Sequence, residues 1–298
     1  MSGIDLQKLH DFAVQLARDA GKMITSARSS QKQSHAEKKN SVDLVTEVDV
    51  AVEKFVIQAI KEAYPDHKFI GEETYSSAPA GKGSVLDDAP TWIVDPIDGT
   101  TNFIHGFPFV AVSIGFTIKQ VPTVGVVYNP FLDHMYTGIR NHGSFLNGQR
   151  LPLNGPPPEI NSLGQCVVAV EWGSDRAEDG NLKIKSDTYF NLARQHGGMV
   201  HSLRSLGSAA LNLCSVAQGS MDMYVEGGMW EWDICAGWVI LTEAGGLMTT
   251  ANKADEVKEP GLCDRKILAV RGSPSRADQE KVIREFWEQT TGDLVYER

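Results

Sequence analysis

Apolar residues recur at steps of three and four from the start of the chain: Leu6, Leu9, Phe12, Ala13, Leu16, Ala17, Ala20, Met23 and Ile24. That spacing draws one stripe along a helix and predicts an amphipathic helix laid on a core. Residues 29–41 are polar and read as a loop or edge hairpin. A second helix is expected after Asp49, with Val52, Phe55, Val56, Ala59, Ile60 and Ala63 facing inward and Pro65 as its stop. The period then shortens. Lys68–Ile70 and Trp92–Val94 read as short buried strands. Val110–Ile118 and Val124–Tyr128 flank the tight connection Lys119–Pro122, a hairpin signal, and Asn147–Gly148 is a second turn signal.

Prolines and turn formers at residues 154–162 break both periods and mark the expected boundary between halves 1–153 and 154–298, which together form one compact unit. Beyond it, Cys166–Val170 and Ile267–Val270 read as strands. Leu182–His196, Gly207–Ala217, Asp233–Ala244 and Arg276–Trp287 read as helices, the third stopped by Gly245–Gly246. Hairpins mixed with long helices predict a layered α+β architecture. Residues 76–89 are polar and Gly/Ser-rich and read as a solvated loop.

Composition narrows the function. The chain has 298 residues, 42% of them hydrophobic and 22% charged, as expected of a globular enzyme with a sizeable core. The net charge of −10 argues against a nucleic-acid footprint, which needs a basic face. It leaves anionic substrates open, because bound cations reverse the local sign. Cys166, Cys214, Cys235 and Cys263 show no ligand spacing and read as reduced, buried residues. The amino-terminal residues lack an apolar run, and no stretch of about 18 apolar residues occurs, so no leader and no membrane contact are expected. The expected location is cytoplasmic.

The sharpest chemical feature is the string from Trp92 to Phe103, which contains Asp95-Pro96-Ile97-Asp98-Gly99-Thr100. A strand runs into two carboxylates three residues apart. Pro96 fixes φ between them, and Gly99 permits a tight turn into a helix. Such a turn can aim both acids at one hard cation, which takes oxygen ligands. The competing reading makes Asp98 a helix N-cap and Asp95 a turn former. Three further acidic sites are Gly71-Glu72-Glu73-Thr74 after a strand, Trp232-Asp233 before a helix rich in small residues (Cys235, Ala236, Gly237), and Val42–Asp49. Solvated loop charge and helix capping are the alternatives there.

Taken jointly, these strings resemble the inositol monophosphatase family of Mg²⁺-dependent, lithium-sensitive phosphatases, over about residues 5–285. The resemblance implies an αβαβα sandwich of the inositol monophosphatase and fructose-1,6-bisphosphatase type. It implies two to three Mg²⁺ per site, held by Glu72, Asp95, the carbonyl of Ile97, Asp98 and Asp233. It implies a catalytic set of Thr100, Asp49 and Glu72, with Thr100 and Asp49 orienting and deprotonating the attacking water. The substrate would meet the amides of Gly99 and Thr100, the Gly207-Ser208-Ala209 turn, Glu226, and the metal-bearing Asp98 and Asp233. Lys38 matches a lysine near the metals. A small phosphorylated polyol substrate and a homodimer also follow from the resemblance.

The chemistry is consistent with that set. Phosphate-ester hydrolysis needs an in-line nucleophile and neutralised phosphoryl charge. Paired divalent cations supply both and relieve the repulsion among clustered carboxylates. The chain has no aspartyl-nucleophile string and no C-x₅-R loop, which favours direct attack by a metal-activated water. Three functions stay open: an inositol monophosphate hydrolase, a 3′(2′),5′-bisphosphate nucleotidase or fructose-1,6-bisphosphatase on the same scaffold, and a catalytically silent binding protein. The stretch 76–90 and the bulky Met229-Trp230-Glu231 depart from the family pattern and bear on the shape of the entrance. Glu226 has a competing reading as a solvated turn charge. His201 and Arg204 read as strand-end packing, and Trp230, Trp232 and Trp238 as core or dimer-interface residues.

Overall fold

The helix-period stripe folds as α1 (Leu6–Ser29), with Leu9, Ala13, Leu16, Ala17, Ala20 and Ile24 buried. The computed structural model describes residues 4–29, 35–37, 44–78 and 85–297. The polar segment that follows contributes β1 (His35–Glu37) and β2 (Leu44–Thr46), an antiparallel pair. Helix α2 (Glu47–Ala63) starts three residues earlier than the sequence suggests. The Thr46 hydroxyl accepts from the Val48 and Asp49 amides at 3.2 and 3.4 Å, and the Asp49 carboxylate accepts from the Thr46 amide at 3.0 Å. Asp49 is therefore the third residue of α2, locked into a capping box, and does not precede the helix.

Next come β3 (Lys68–Gly71), α3 (Glu72–Ser76), β4 (Thr91–Asp98), α4 (Thr100–His105), β5 (Ala111–Ile118), β6 (Val121–Asn129), β7 (His134–Ile139), β8 (Gly143–Leu146) and β9 (Gln149–Arg150). The strands form a seven-stranded sheet in chain order. Lys119 and Gln120, at φ 52° and 63°, make a two-residue turn between β5 and β6, tighter than the four-residue connection read from the sequence. Residues 151–162 hold no helix or strand. After them come β10 (Val167–Val170), α5 (Asn181–Ala193), β11 (Ser202–Arg204), α6 (Ala209–Gln218), β12 (Met223–Gly227), α7 (Glu231–Glu243), β13 (Leu247–Thr250), β14 (Lys266–Val270) and α8 (Arg276–Trp287). Their strands form a second sheet in the order β11-β10-β12-β14-β13.

Strand alternation sorts the core into layers. Trp92, Val94, Val112 and Ile114 pack under α1 and α2, while Ile93 and Ala111 face α6 and α7. Those two helices are covered on their far side by Ala169, Tyr224, Ile267 and Ala269 of the second sheet. The sheet's other face, through Val168, Val225 and Leu268, packs on α5 and α8. The result is a five-layer αβαβα stack.

Helix α7 lies at its centre, and glycine makes room for it. Gly115, Gly125 and Gly138 stand side by side across β5, β6 and β7. A Cβ on Gly115 would meet Cys235 Sγ at 2.4 Å, and one on Gly125 would meet the Ala236 carbonyl oxygen at 2.2 Å. On the opposite face of α7, a Cβ on Gly237 would meet Leu213 of α6 at 2.8 Å. The small residues Cys235, Ala236 and Gly237 thus allow close approach on both sides, as their sequence suggests.

Candidate active site

The parity of β4 decides where its first carboxylate points. Trp92 and Val94 face the outer helices, so Ile93 and Asp95 face α7. Asp95 pairs with Ser113 across the ladder, and the Ser113 hydroxyl donates to the Trp232 carbonyl at 3.1 Å. The first turn of α7 is thereby held over Asp95. The register slips between Asp95 and Asp98, and the Ile97 amide donates to Asp95 Oδ1 at 2.9 Å. Gly99 follows at φ 94°, where a Cβ would also lie 2.9 Å from the Phe109 carbonyl. That turn delivers Thr100 to the start of α4.

Asp98 Oδ2 accepts from the Ser208 hydroxyl at 2.6 Å and from the Ala210 amide at 2.8 Å, at the N-terminus of α6. Asp233, the third residue of α7, accepts from the Trp230 amide at 2.6 Å. Asp95, Asp98 and Asp233 each bring a carboxylate oxygen within 4.8 Å of the others. Glu72, the first residue of α3, is hydrogen-bonded to Asp95. The Thr100 hydroxyl lies 3.0 Å from Asp49 Oδ1 and 3.1 Å from the Ile97 carbonyl. Asp49, Glu72, Asp95, Ile97, Asp98, Thr100 and Asp233 therefore meet in one place, from both halves of the chain.

Capping and cation binding are not alternatives at this site. Asp49 and Asp233 each serve as an in-helix cap, and Asp98 sits on the N-terminus of a helix remote in sequence. All three keep further lone pairs for other partners.

Burial and mutual repulsion raise these acids. Burial pushes Asp95 well above the usual carboxylate range, and the charges of Glu72, Asp98 and Asp233 add to it. Burial likewise raises Asp233, reinforced by Asp98 and Glu72. Asp98 rises to about 7 by burial, against the lowering effect of its Ser208 and Ala210 hydrogen bonds. Asp49 rises to about 6 by burial, opposed by Thr46. A buried set of this kind needs protons or cations to neutralise it. An all-oxygen donor set suits a hard divalent ion.

At the substrate end the expected residues are less uniform. Gly207 adopts φ 74°. The Ser208 hydroxyl is engaged on Asp98 and also caps α6 by accepting from the Leu211 amide at 3.2 Å, so its side chain positions a carboxylate. Ala209 opens α6. Glu226, on β12, accepts from the Tyr224 hydroxyl. Burial and the Glu171 charge push it up to about 7, against the pull of Lys185, which is not the setting of a solvated turn charge. Arg204 is exposed and bonds the Leu203 carbonyl at 2.9 Å. Trp232 and Trp238 are buried, while Trp230 is half-buried, stacked on Trp232 at 5.2 Å and under Arg265 at 3.8 Å. Tyr75 touches both Trp230 and Trp232, joining α3 to the start of α7. Cys166, Cys214 and Cys235 are buried and Cys263 half-buried, and none forms a disulfide. Lys38, and residues 79–84 of the expected loop, lie outside the described residues.

Several supporting residues escaped the sequence reading. Glu53, one face-turn along α2 from Asp49, accepts from the Glu73 and Thr74 amides at 2.8 and 2.7 Å and fixes the acidic turn. Glu171 accepts from the Leu206 and Gly207 amides at 2.7 and 2.8 Å and from Asn212 at 2.8 Å. Asn102 donates to the Phe109 and Leu206 carbonyls at 2.8 and 2.7 Å. Only the Glu171 signal was visible, as a lone acid ending the apolar run Val167–Val170.

Comparison with known proteins agrees with this geometry. The family model described as "Inositol monophosphatase family" matches residues 5–291. The chain is 42% identical to protein qutG of Emericella nidulans, over 99% of this chain and 96% of that one. It is 45% identical to inositol monophosphatase 1 of Bos taurus, over 94% of each. The solved inositol monophosphatase of Anabaena superposes with a TM-score of 0.76 at 30% identity, covering 96% of this chain and 97% of that one. A match across nearly the whole length of the chain makes it a member of the inositol monophosphatase family.

Proposed function

We propose that the chain is a metal-dependent phosphomonoesterase that hydrolyses inositol monophosphate to inositol and phosphate. The observation that carries this reading is the convergence of Asp95, Asp98 and Asp233 within 4.8 Å, beside the Thr100–Asp49 pair. Glu72, Asp95, the Ile97 carbonyl, Asp98 and Asp233 would hold Mg²⁺, two to three ions per site. When bound, such ions neutralise phosphoryl charge and acidify a coordinated water.

The protein's own groups do the rest. The Thr100 hydroxyl carries one proton and gives it to Asp49 Oδ1, which leaves its lone pairs to accept from an attacking water. Asp49, raised to about 6, is matched to take up a proton near neutrality. Its other oxygen is held by Thr46, so the pair has one orientation. The Gly99 and Thr100 amides would meet phosphate oxygens. The Gly207–Ala209 turn and Glu226 would read the alcohol, since the phosphate end is common to all substrates.

A homodimer in the cytoplasm, without nucleic-acid or membrane partners, goes with this reading. So does the treatment of residues 1–153 and 154–298 as one functional unit, because both contribute acids. Among the described residues no helix is long and apolar enough to cross a membrane.

The test is phosphate release from myo-inositol 1-phosphate, a 3′,5′-bisphosphonucleotide and fructose 1,6-bisphosphate, with and without a chelator. Preference for the first, abolished by the chelator, is expected. Preference for either of the others assigns a sister activity. No turnover of any leaves a binding protein, which the presence of Asp49, Glu72, Asp95, Asp98 and Asp233 argues against.

A further inference from the structure

Glu171, just past β10, and Glu226, next to last in β12, directly follow the paired residues Val170 and Val225 of these neighbouring parallel strands. Two carboxylates so placed repel one another, and the charge of Glu171 raises Glu226. Both belong to the alcohol end of the site. Glu171 anchors the Leu206 and Gly207 amides, and Glu226 is next to last in the strand that leads to Asp233.

A buried ammonium lies beside them. Lys185, on α5, is 3% exposed. Its Nζ donates to the carbonyls of Trp172 and Gly227, each at 2.9 Å. Those are the residues that directly follow Glu171 and Glu226, so one side chain clamps both strand ends. Lys185 also interacts favourably with both carboxylates. Burying an ammonium is costly and lowers the pKa of Lys185, and the two carbonyls and the two acids offset part of that cost.

The clamp is covered by the last residues of the chain. Asn252 exchanges two hydrogen bonds with Leu294 at 3.0 and 2.9 Å, and Asn181 exchanges two with Val295, each at 2.8 Å. The segment thus anchored lays the Tyr296 ring 5.6 Å from Lys185 Nζ and 5.7 Å from the Arg265 guanidinium. The ring lies against the turn after Glu226. A Cβ on Gly227 or Gly228 would come within 2.6 or 2.9 Å of it.

We propose that Lys185, shielded by Tyr296, is a positioning residue for recognition of the alcohol. It locks the Glu171 and Glu226 strand ends together and offsets their charge, so that Glu226 stands as a fixed acceptor for ring hydroxyls. The proposal rests on the reading of Glu226 as the polyol acceptor.

The test uses the full chain with Mg²⁺ and compares myo-inositol 1-phosphate with the ring-less glycerol 2-phosphate. Three variants are measured: Lys185→Met, Glu226→Gln and the double variant. Weakening a charge-assisted hydrogen bond should raise KM for the inositol substrate by about tenfold in Lys185→Met, while kcat for either substrate changes by less than about threefold. In the Glu226→Gln background the Lys185 change should add less than about twofold, because both act through one carboxylate. Equal losses on both substrates, or full additivity in the double variant, would overturn the proposal. If Glu226→Gln itself fails to distinguish the substrates, the polyol reading fails first. If Glu226→Gln distinguishes them and Lys185→Met does not, that reading stands and the Lys185 proposal falls. Should Lys185→Met not fold, Lys185→Arg and Tyr296→Ala decide. A rise in KM confined to the inositol substrate in Tyr296→Ala, with Lys185→Arg closer to wild type, supports the proposal, and the absence of that selectivity overturns it.

Discussion

Thr100 Oγ1 sits 3.0 Å from Asp49 Oδ1, joining residues 51 positions apart in the chain. The hydroxyl has one proton, and its other acceptor within reach is the Ile97 carbonyl at 3.1 Å. Asp49 is held from behind by Thr46, so the geometry of the pair is set before any substrate arrives.

Thr100→Ala should therefore lower kcat by about 100-fold with KM nearly unchanged, the scale of a positioned general-base contribution. Thr100→Ser should recover most of the loss. A raised KM with normal kcat in Thr100→Ala would instead make Thr100 a binding residue. Steady-state kinetics on the three proteins decides.

Asp95 and Glu73 give a contrast between neighbouring acids. Asp95 faces the carboxylate cluster, whereas the Glu73 backbone amide is what Glu53 holds. Asp95→Asn should cost at least ~100-fold in rate and weaken Mg²⁺ binding, and Glu73→Gln should cost far less. Calorimetric Mg²⁺ titration alongside kinetics tests both. Equal losses would mean that the acidic turn supplies a different ligand.

Stability should depend on pH differently with and without metal. Asp49 is raised to about 6 and Asp98 and Glu226 to about 7, from ordinary values of 3.8, 3.8 and 4.5. The folded chain thus holds these protons more tightly than the unfolded one. The resulting stabilisation is full below about pH 4 and is lost as pH rises through 6 to 7. His67 works the other way, since burial lowers its pKa and its Nδ1 faces the Trp92 indole N–H at 3.2 Å, but it is one group against these three and the likewise raised Asp95 and Asp233. The chelated protein should lose at least ~5 °C in Tm between pH 5 and pH 8, at about 2–4 °C per kcal/mol. Saturating Mg²⁺ should flatten or reverse the slope, because the ion competes with protons. A rising Tm in the chelated protein would contradict the buried, proton-holding state of these acids. Calorimetry across the pH range measures it.

Gly125→Ala tests the seat of α7. The new Cβ would lie 2.2 Å from the Ala236 carbonyl oxygen, which is backbone and cannot swing aside. The expected cost is about 2 kcal/mol or more, with weaker Mg²⁺ binding because Asp233 rides on the same helix. Gly138→Ala, whose nearest atoms are at 3.3 Å, should be milder. Urea unfolding and metal titration rank the two.

Local chemistry made much of this molecule legible. The helix stripes of α1 and α8, the Asn147–Gly148 turn and the Asp95–Thr100 string each announce themselves over a few residues. The small residues at 235–237 foretold a tightly packed helix. What the sequence hid was long-range or came in short pieces. The strands from β7 to β9 and from β11 to β13 are brief and take their form from neighbours in the sheet. Residues such as Glu53, Glu171 and Lys185 act on backbone groups that only the fold brings near. That the Ser208 hydroxyl would also hold Asp98 was likewise beyond local sequence.

Four of the clustered acids are already fastened to backbone amides, Asp95 to that of Ile97. Asp49 closes the start of α2, Asp98 meets the start of α6, and Asp233 closes the start of α7. An incoming cation therefore finds a socket whose walls stand without it, and it need not spend binding energy on ordering them. Glu72 has a different mounting, on the five-residue α3 steadied by the Glu53 carboxylate. If the site holds more than one ion, as the proposed function has it, those that depend on the aspartates should fill first and leave last. An ion that depends on Glu72 should be the one that comes and goes, so its occupancy, more than theirs, would follow the free metal around the enzyme.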